Sequence, residues 1–236
     1  MRNQLYILTI GLLLSSPAIA DNNDNNNNNC SIPKSIVDNV QSKLSTVALS
    51  GNGGLFTPNR MWSAVVDRKG VLCSVINNNP DAWPGSRAIA MAKASTANDF
   101  SNSLVALSTA NLYSLTQPAN SNPTPAGGVP AGSLYGLNNS NPFNPSFLAQ
   151  QNDVGEVAGG IITFGGGVAL YQNGRVIGGL GVSGDTACAD HAIAYKMRAA
   201  AGLGSTPSLD NIAYLMIGEL PNGFKHPHCI PSDITP

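Results

Sequence analysis

Three histidines, His191, His226 and His228, are the side chains of this 236-residue chain best suited to hold a metal or a cofactor. A single imidazole can ligate haem iron, bind a bare metal ion or move a proton. His191 stands beside Asp190, but neighbouring helical residues project in different directions, so the two need not act as a pair. The plainer reading of His191 is a solvent-facing helical residue. His226 and His228 bracket Pro227 and precede Cys229. A disulfide at Cys229 would immobilise both, either as metal or iron ligands or simply as part of a tail. Tyr113, Tyr135, Tyr171 and Met91 could line an apolar pocket or give a weak iron ligand, with core packing the simpler role. No catalytic residue is assigned, because the chain has neither a G-x-S-x-G elbow nor an H-E-x-x-H helix.

The run GGGVALYQNGRVIGGLGVSGD is rich in glycine yet lacks the Lys-Ser/Thr ending of a phosphate loop. It also fails to place G-x-G-x-x-G in a first strand-to-helix turn, which argues against a dinucleotide. Gly178, Gly179 and Gly181 inside a strand imply close backbone approach. Either a helix packs tightly there, or room is left for a flat ligand or a second subunit. The main-chain groups of Ser183 to Thr186, at a helix start, could receive a small carboxylate.

These residues need a frame. Ser31, a candidate cap, introduces an apolar helical face from Ile36 to Val47, ending near Leu49. Met61–Asp67 and Val71–Ile76, joined by Arg68-Lys69-Gly70, read as a hairpin. Helical spacing returns from Trp83 to about Ser103. Between about 111 and 147 prolines interrupt every pattern, an irregular insertion that either covers a ligand, contacts a partner or lies passively on the surface. Order resumes at Val157–Phe164, which either adds a further strand or does not; Val168–Gln172 and Arg175–Val182 read as a hairpin about Asn173-Gly174, and the next segment as a helix capped near Ser183–Thr186. Residues 208–217 suggest a short last helix. The order predicts one α/β domain, a mainly antiparallel sheet with helices packed on it, over residues 32–204, followed by a tail over 205–236.

Residues 1–20 have the order of an export signal: Arg2, an apolar run from Leu5 to Leu14, and Ala18-Ile19-Ala20 before a cut. The run is shorter than the roughly 20 residues a membrane span needs, so no transmembrane segment is expected to remain. Residues 21–31 form a polar, disordered leader. With 12 basic and 13 acidic residues the chain offers no electrostatic footprint for nucleic acid. Cys30, Cys73, Cys188 and Cys229 suit two disulfides in an oxidising compartment, the periplasm or the exterior. Three pairings are possible; we prefer Cys30–Cys229, which would fasten the first helix to the tail.

Two segments carry a family resemblance. Residues 84–100, PGSRAIAMAKASTANDF, and the stretch from Gly166 through the Asn173-Gly174 hairpin and Gly181-Val182-Ser183-Gly184 to Asp190 and Ala192-Ile193-Ala194 resemble the GlcG/HbpS-like haem-degrading family, also described as DUF336. The resemblance implies a profilin-like fold, homo-oligomers, and haem as cofactor or partner. Here Ala169 stands where the family commonly has proline, and the first histidine available as iron ligand is His191, with His226 and His228 as alternatives. The implied function is an exported haem-binding or haem-handling protein. The alternative is a noncatalytic module for a small carboxylate or for protein assembly. Haem cleavage would further require an electron source and oxygen access.

Overall fold

A computed structural model describes residues 29–118, 132–140, 143–148, 154–205, 209–231 and 233–236. The expected export signal and nearly all of the polar leader lie outside these residues, as does the centre of the Pro-rich insertion. Four strands form one antiparallel sheet: β1 (Trp62–Asp67), β2 (Leu72–Asn77), β3 (Gly167–Gln172) and β4 (Arg175–Ser183). Local chemistry builds two hairpins. Asn173 and Gly174 both take positive φ, 51° and 74°, as a type I′ turn requires. In the other turn the Asp67 carboxylate accepts the Lys69 and Val71 amides at 2.8 and 3.0 Å. The hairpins join edge to edge through β1 and β4, giving the order β2-β1-β4-β3.

The two faces of the sheet carry different helices. Side chains alternate along a strand, so Val65, Leu180, Val182, Val168 and Leu170 meet α1 (Lys34–Gln41), α2 (Lys43–Ala48) and α5 (Ala187–Ala200). Trp62, Ala64, Val66 and Leu72 point the other way, against Ala90, Met91 and Ala94 of α3 (Gly85–Asp99). The strand glycines set the depth of α3. A Cβ at Gly179 would lie 2.1 Å from the Ala94 oxygen, and one at Gly181 2.0 Å from the Ala90 oxygen. Tight helix-on-sheet packing therefore fills the space that a flat ligand would have needed.

The segment between α3 and β3 wraps the outer face of α3. It contains α4 (Tyr113–Thr116) and two 3₁₀ turns, Leu137–Ser140 and Pro145–Leu148. Phe147 and Ala158, with Phe143, join the cluster of Met91 and Ala94, and the Ile162 amide donates to Thr96 Oγ1 at 2.9 Å. Of the two or three strands expected in this half, two form, and 157–164 is not a strand. Apart from one bridge, Val71 to Val157, the segment runs over the helix rather than along the sheet. Its hydrophobicity reflects this burial and not strand pairing.

Three further expectations are corrected. Ser31 does not cap α1, which starts after Pro33; its amide and hydroxyl instead donate to Asp67 Oδ2, both at 2.8 Å. The disulfides are Cys30–Cys73 and Cys188–Cys229, not Cys30–Cys229. The first pins the entry of α1 to β2, and the second pins the tail to the start of α5. Over 209–217 no helix forms; Tyr214 instead makes a parallel bridge with His226, drawing the tail into a loop. Among the described residues, no helix is long and apolar enough to cross a membrane.

Replacing Gly181 by valine forces a side chain into the Ala90 carbonyl and is expected to cost at least about 1–3 kcal/mol. Urea unfolding measures it; an unchanged midpoint would contradict the packing described.

Candidate functional site

The chemistry-bearing residues gather where β3 begins and α5 starts. Lys93, in the middle of α3, extends past this end of the sheet to the opposite helix layer. Its Nζ donates to Asp190 Oδ2 of α5 at 2.6 Å and to the Val182 oxygen at 3.2 Å. The Phe164 ring lies 4.8 Å from the ammonium. Both side chains are sealed from solvent. Gly165, Gly166 and Gly167 keep the passage open, since a Cβ on Gly166 would meet Lys93 Nζ at 2.8 Å. Burial lowers the Lys93 pKa and raises that of Asp190 to about 6, while each partner opposes the other's shift. The close contact with the Lys93 ammonium favours the ionised carboxylate against that burial. Its Oδ1 accepts the Asp185 amide at 3.0 Å, and Asp185 Oδ1 accepts the Thr186 amide at 2.7 Å. Two of the donors considered for a small carboxylate ligand are thus taken by the chain's own carboxylates. The Thr186 hydroxyl caps α5 by accepting the Ala189 amide.

His191 is not solvent-facing. It has no exposed surface, and neither ring nitrogen completes a hydrogen bond. Its ring stacks against Tyr195 at 6.0 Å, and the Gly165 backbone closes on its Cβ. Burial, with Arg198, His226 and Lys93 adding positive charge, lowers its pKa to about 3, and the neighbouring Asn211 side chain opposes the shift. His226 is buried as well, beside the Tyr113 ring. The Gly165 amide donates to its Nε2 at 3.3 Å, which leaves Nδ1 as the protonated nitrogen, donating to the Pro227 oxygen at 2.7 Å. Burial lowers the pKa of His226 to about 4, with the Pro227 contact opposing. The Cys188–Cys229 disulfide lies alongside, Cys188 Sγ being 3.9 Å from Nδ1.

His228 differs from both. It is exposed, and it stacks on Tyr214 with ring centroids 4.0 Å apart. The loop between Tyr214 and His226 exposes Met216, Ile217, Leu220 and Phe224. The structure thus brings His191 and His226 together inside and leaves His228 outside. Met91 is wholly core, Tyr171 is buried with its hydroxyl on the Asn102 oxygen at 2.7 Å, and Tyr135 is exposed. Sequence reasoning missed the Lys93–Asp190 pair. The only signal was that both residues fall in the two segments that carry the family resemblance.

Residues 58–199 match the family described as "Haem degrading protein HbpS-like". The chain belongs to the HbpS-like family. Several solved structures resemble this HbpS-like chain, two of them as follows. Protein ORFY of Klebsiella pneumoniae, a DUF336 protein, is 24% identical over 72% of this chain and 90% of its own, with a TM-score of 0.51, and speaks to the fold alone. A structure of a PduOC:heme complex is 26% identical over 74% of this chain and 97% of its own, with a TM-score of 0.51. No curated protein sequence matches the chain.

Two predictions follow from the buried charges. Removing one partner, by Lys93→Met or Asp190→Leu, strands the other charge and is expected to cost about 3–5 kcal/mol, whereas the double replacement recovers most of it. Denaturant melts of the three variants decide this, and equal losses in single and double variants would contradict it. The second concerns acid. His191 and His226 stay neutral in the folded chain down to about 3 and 4, whereas an unfolded imidazole protonates near 6.5. The unfolded state therefore binds more protons below pH 6.5. The histidine contribution is full above that pH and falls as pH drops toward about 4, by up to about 1.4 kcal/mol per pH unit for each histidine; Asp190, raised to about 6, takes up a proton earlier in the folded chain than in the unfolded one and offsets one histidine's share below pH 6. Urea midpoints between pH 7 and 4.5 test the slope, and His226→Gln should flatten it.

Proposed function

We propose that this HbpS-like chain is an exported haem-binding or haem-handling protein. The observation that carries this reading is family membership, joined to the likeness with a protein solved as a haem complex over three quarters of the present chain. Exposed side chains of the tail support the reading. Haem needs an imidazole that iron can reach and apolar surface for the porphyrin. His228 supplies the first and the exposed Met216, Ile217, Leu220 and Phe224 of the adjoining loop the second. His226 is committed through both ring nitrogens. His191 has free nitrogens but lies wholly buried, so it would meet iron only if the segment around Gly165 and the tail moved aside. Bound haem would supply redox-active iron; the chain's own part is to offer the ligand, cover the porphyrin and hold the tail in place through Cys188–Cys229.

Export to the periplasm or exterior is part of the same reading, supported by the N-terminal signal pattern and by two closed disulfides. So are self-association, for which the exposed apolar loop offers a surface, and a profilin-like arrangement of the sandwich.

Titration of the oxidised protein with haem, read by its visible absorption, tests the proposal. A stoichiometric Soret change is expected, weakened at least about tenfold by His228→Ala, a loss of about 1.4 kcal/mol, and retained in His191→Gln. Only nonspecific adsorption would overturn haem binding. Loss of the band in a folded His191→Gln protein, with His228→Ala unaffected, would move the ligand inside.

A further inference from the structure

Of the two disulfides, one has an imidazole beside it. Among the described residues Cys188, His226 and Cys229 form the group of potential metal ligands whose donor atoms all lie within 4.8 Å of one another. In a tetrahedral zinc site, bonds of about 2.3 Å to sulfur and 2.0–2.1 Å to nitrogen put sulfur and nitrogen about 3.5 Å apart and two sulfurs about 3.8 Å apart. Cys188 Sγ and His226 Nδ1, at 3.9 Å, already approach that spacing. What prevents binding is the sulfur–sulfur bond, because a metal takes thiolates. We propose that reduction of Cys188–Cys229 converts this corner into a Cys₂His site for a tetrahedral divalent cation of the zinc class.

The electrons come from a dithiol. Cys229 is partly exposed and Cys188 sealed, so one thiolate of the reductant attacks Cys229 Sγ. The Cys188–Cys229 bond breaks and Cys188 leaves as a thiolate. It is the second residue of α5, where the positive end of a helix favours a sulfur anion. The reductant's second thiolate then attacks its own sulfur in the mixed disulfide, releasing the Cys229 thiolate and closing the reductant's disulfide. Two electrons have passed to the cysteines, and two protons from the dithiol reside on the cysteines or in solvent. Metal binding displaces any on sulfur.

His226 must also change. Its Nδ1 proton, now donated to Pro227, moves to Nε2 when Nδ1 binds the metal, and the Gly165 amide loses its acceptor. Three protein ligands leave a fourth position for water; Asp233 borders the site through the Cys229 amide but stands outside the ligand group. The Oδ2 of that residue accepts the Cys229 amide, and its Oδ1 is buried without a partner. The Cys30–Cys73 disulfide lies against Ile32 and the helical core and belongs to no such group of ligands among the described residues, which makes it an internal control.

The test uses the full, haem-free chain, reduced with a small dithiol, freed of it without air and titrated with Co²⁺. The expected result is one equivalent bound with sulfur-to-cobalt charge-transfer absorption, displaced by Zn²⁺ and absent from the oxidised protein. His226→Gln should weaken binding by more than the 10–100-fold typical of losing a mere outer-shell partner. The Cys30→Ser/Cys73→Ser variant should bind as before. The proposal is overturned if the reduced chain keeps its circular dichroism yet shows no such band, if the band survives His226→Gln unchanged, or if it depends on Cys30 and Cys73. A reduced chain that loses its helices and binds cobalt no better than in urea overturns it equally. Because no haem is present, none of these outcomes bears on haem binding.

Discussion

The ion pair between Lys93 and Asp190 joins the two halves of this fold. α3 and α5 lie on opposite faces of the sheet, and a single lysine side chain passes the end of β3 to connect them. Such a pair contributes little net stability compared with apolar side chains of the same size, because burial desolvates both charges. Its effect is on geometry. Once the lysine is inside, Asp190 is the partner that keeps its charge from being stranded, so the registers of α3 and α5 become coupled. Gly165–Gly167 must then lie flat against the lysine, since any Cβ at Gly166 would fall on its ammonium. The Gly165 backbone in turn closes over His191 and donates to His226. One buried charge thereby positions most of the polar interior.

The tail completes that interior. Asp210 pairs with Arg198 through both guanidinium nitrogens, its Oδ1 accepting from Nη2 at 2.8 Å, and Arg198 also donates to the Ala169 oxygen of β3 at 3.0 Å. Together with Cys188–Cys229 this clamps the tail against α5 at two points, and the loop between them turns Met216, Ile217, Leu220 and Phe224 to solvent. A buried polar cluster under a clamped tail and an exposed apolar loop beside an exposed imidazole are distinct environments. The first favours neutral histidines and a closed disulfide; the second is the surface a porphyrin could use. Both environments lie in the tail that follows α5, with His226 in the first and His228 in the second.

Much of the architecture was legible in the chain. Period-two alternation, the Asn-Gly turn and the Lys-Gly turn gave both hairpins, and helical spacing gave α1, α3 and α5, because these are local steric and solvation effects that do not depend on distant partners. The strand glycines also signalled close approach, which α3 provides. Failures occurred where a residue's environment comes from elsewhere in the chain. The 157–164 segment has strand-like composition yet covers α3, and composition cannot tell burial on a helix from burial in a sheet. His191 lies on a face that looked exposed until the 164–167 segment and the tail closed over it.

By itself, then, the sequence determined an α/β domain with two antiparallel hairpins, the set of histidines and cysteines available for chemistry, and membership in a haem-related family through motifs in two segments. Only the tertiary structure decided which cysteines pair, that Lys93 meets Asp190, and that His191 and His226 are buried while His228 is not. The physical reason is range. Turns and amphipathic faces follow from interactions over a few residues, whereas a disulfide pairing, a buried ion pair or a desolvated imidazole depends on which distant segments the whole chain brings within a few ångströms. Lys93 and Asp190 stand 97 positions apart, and the chain between them carries no local trace of their contact.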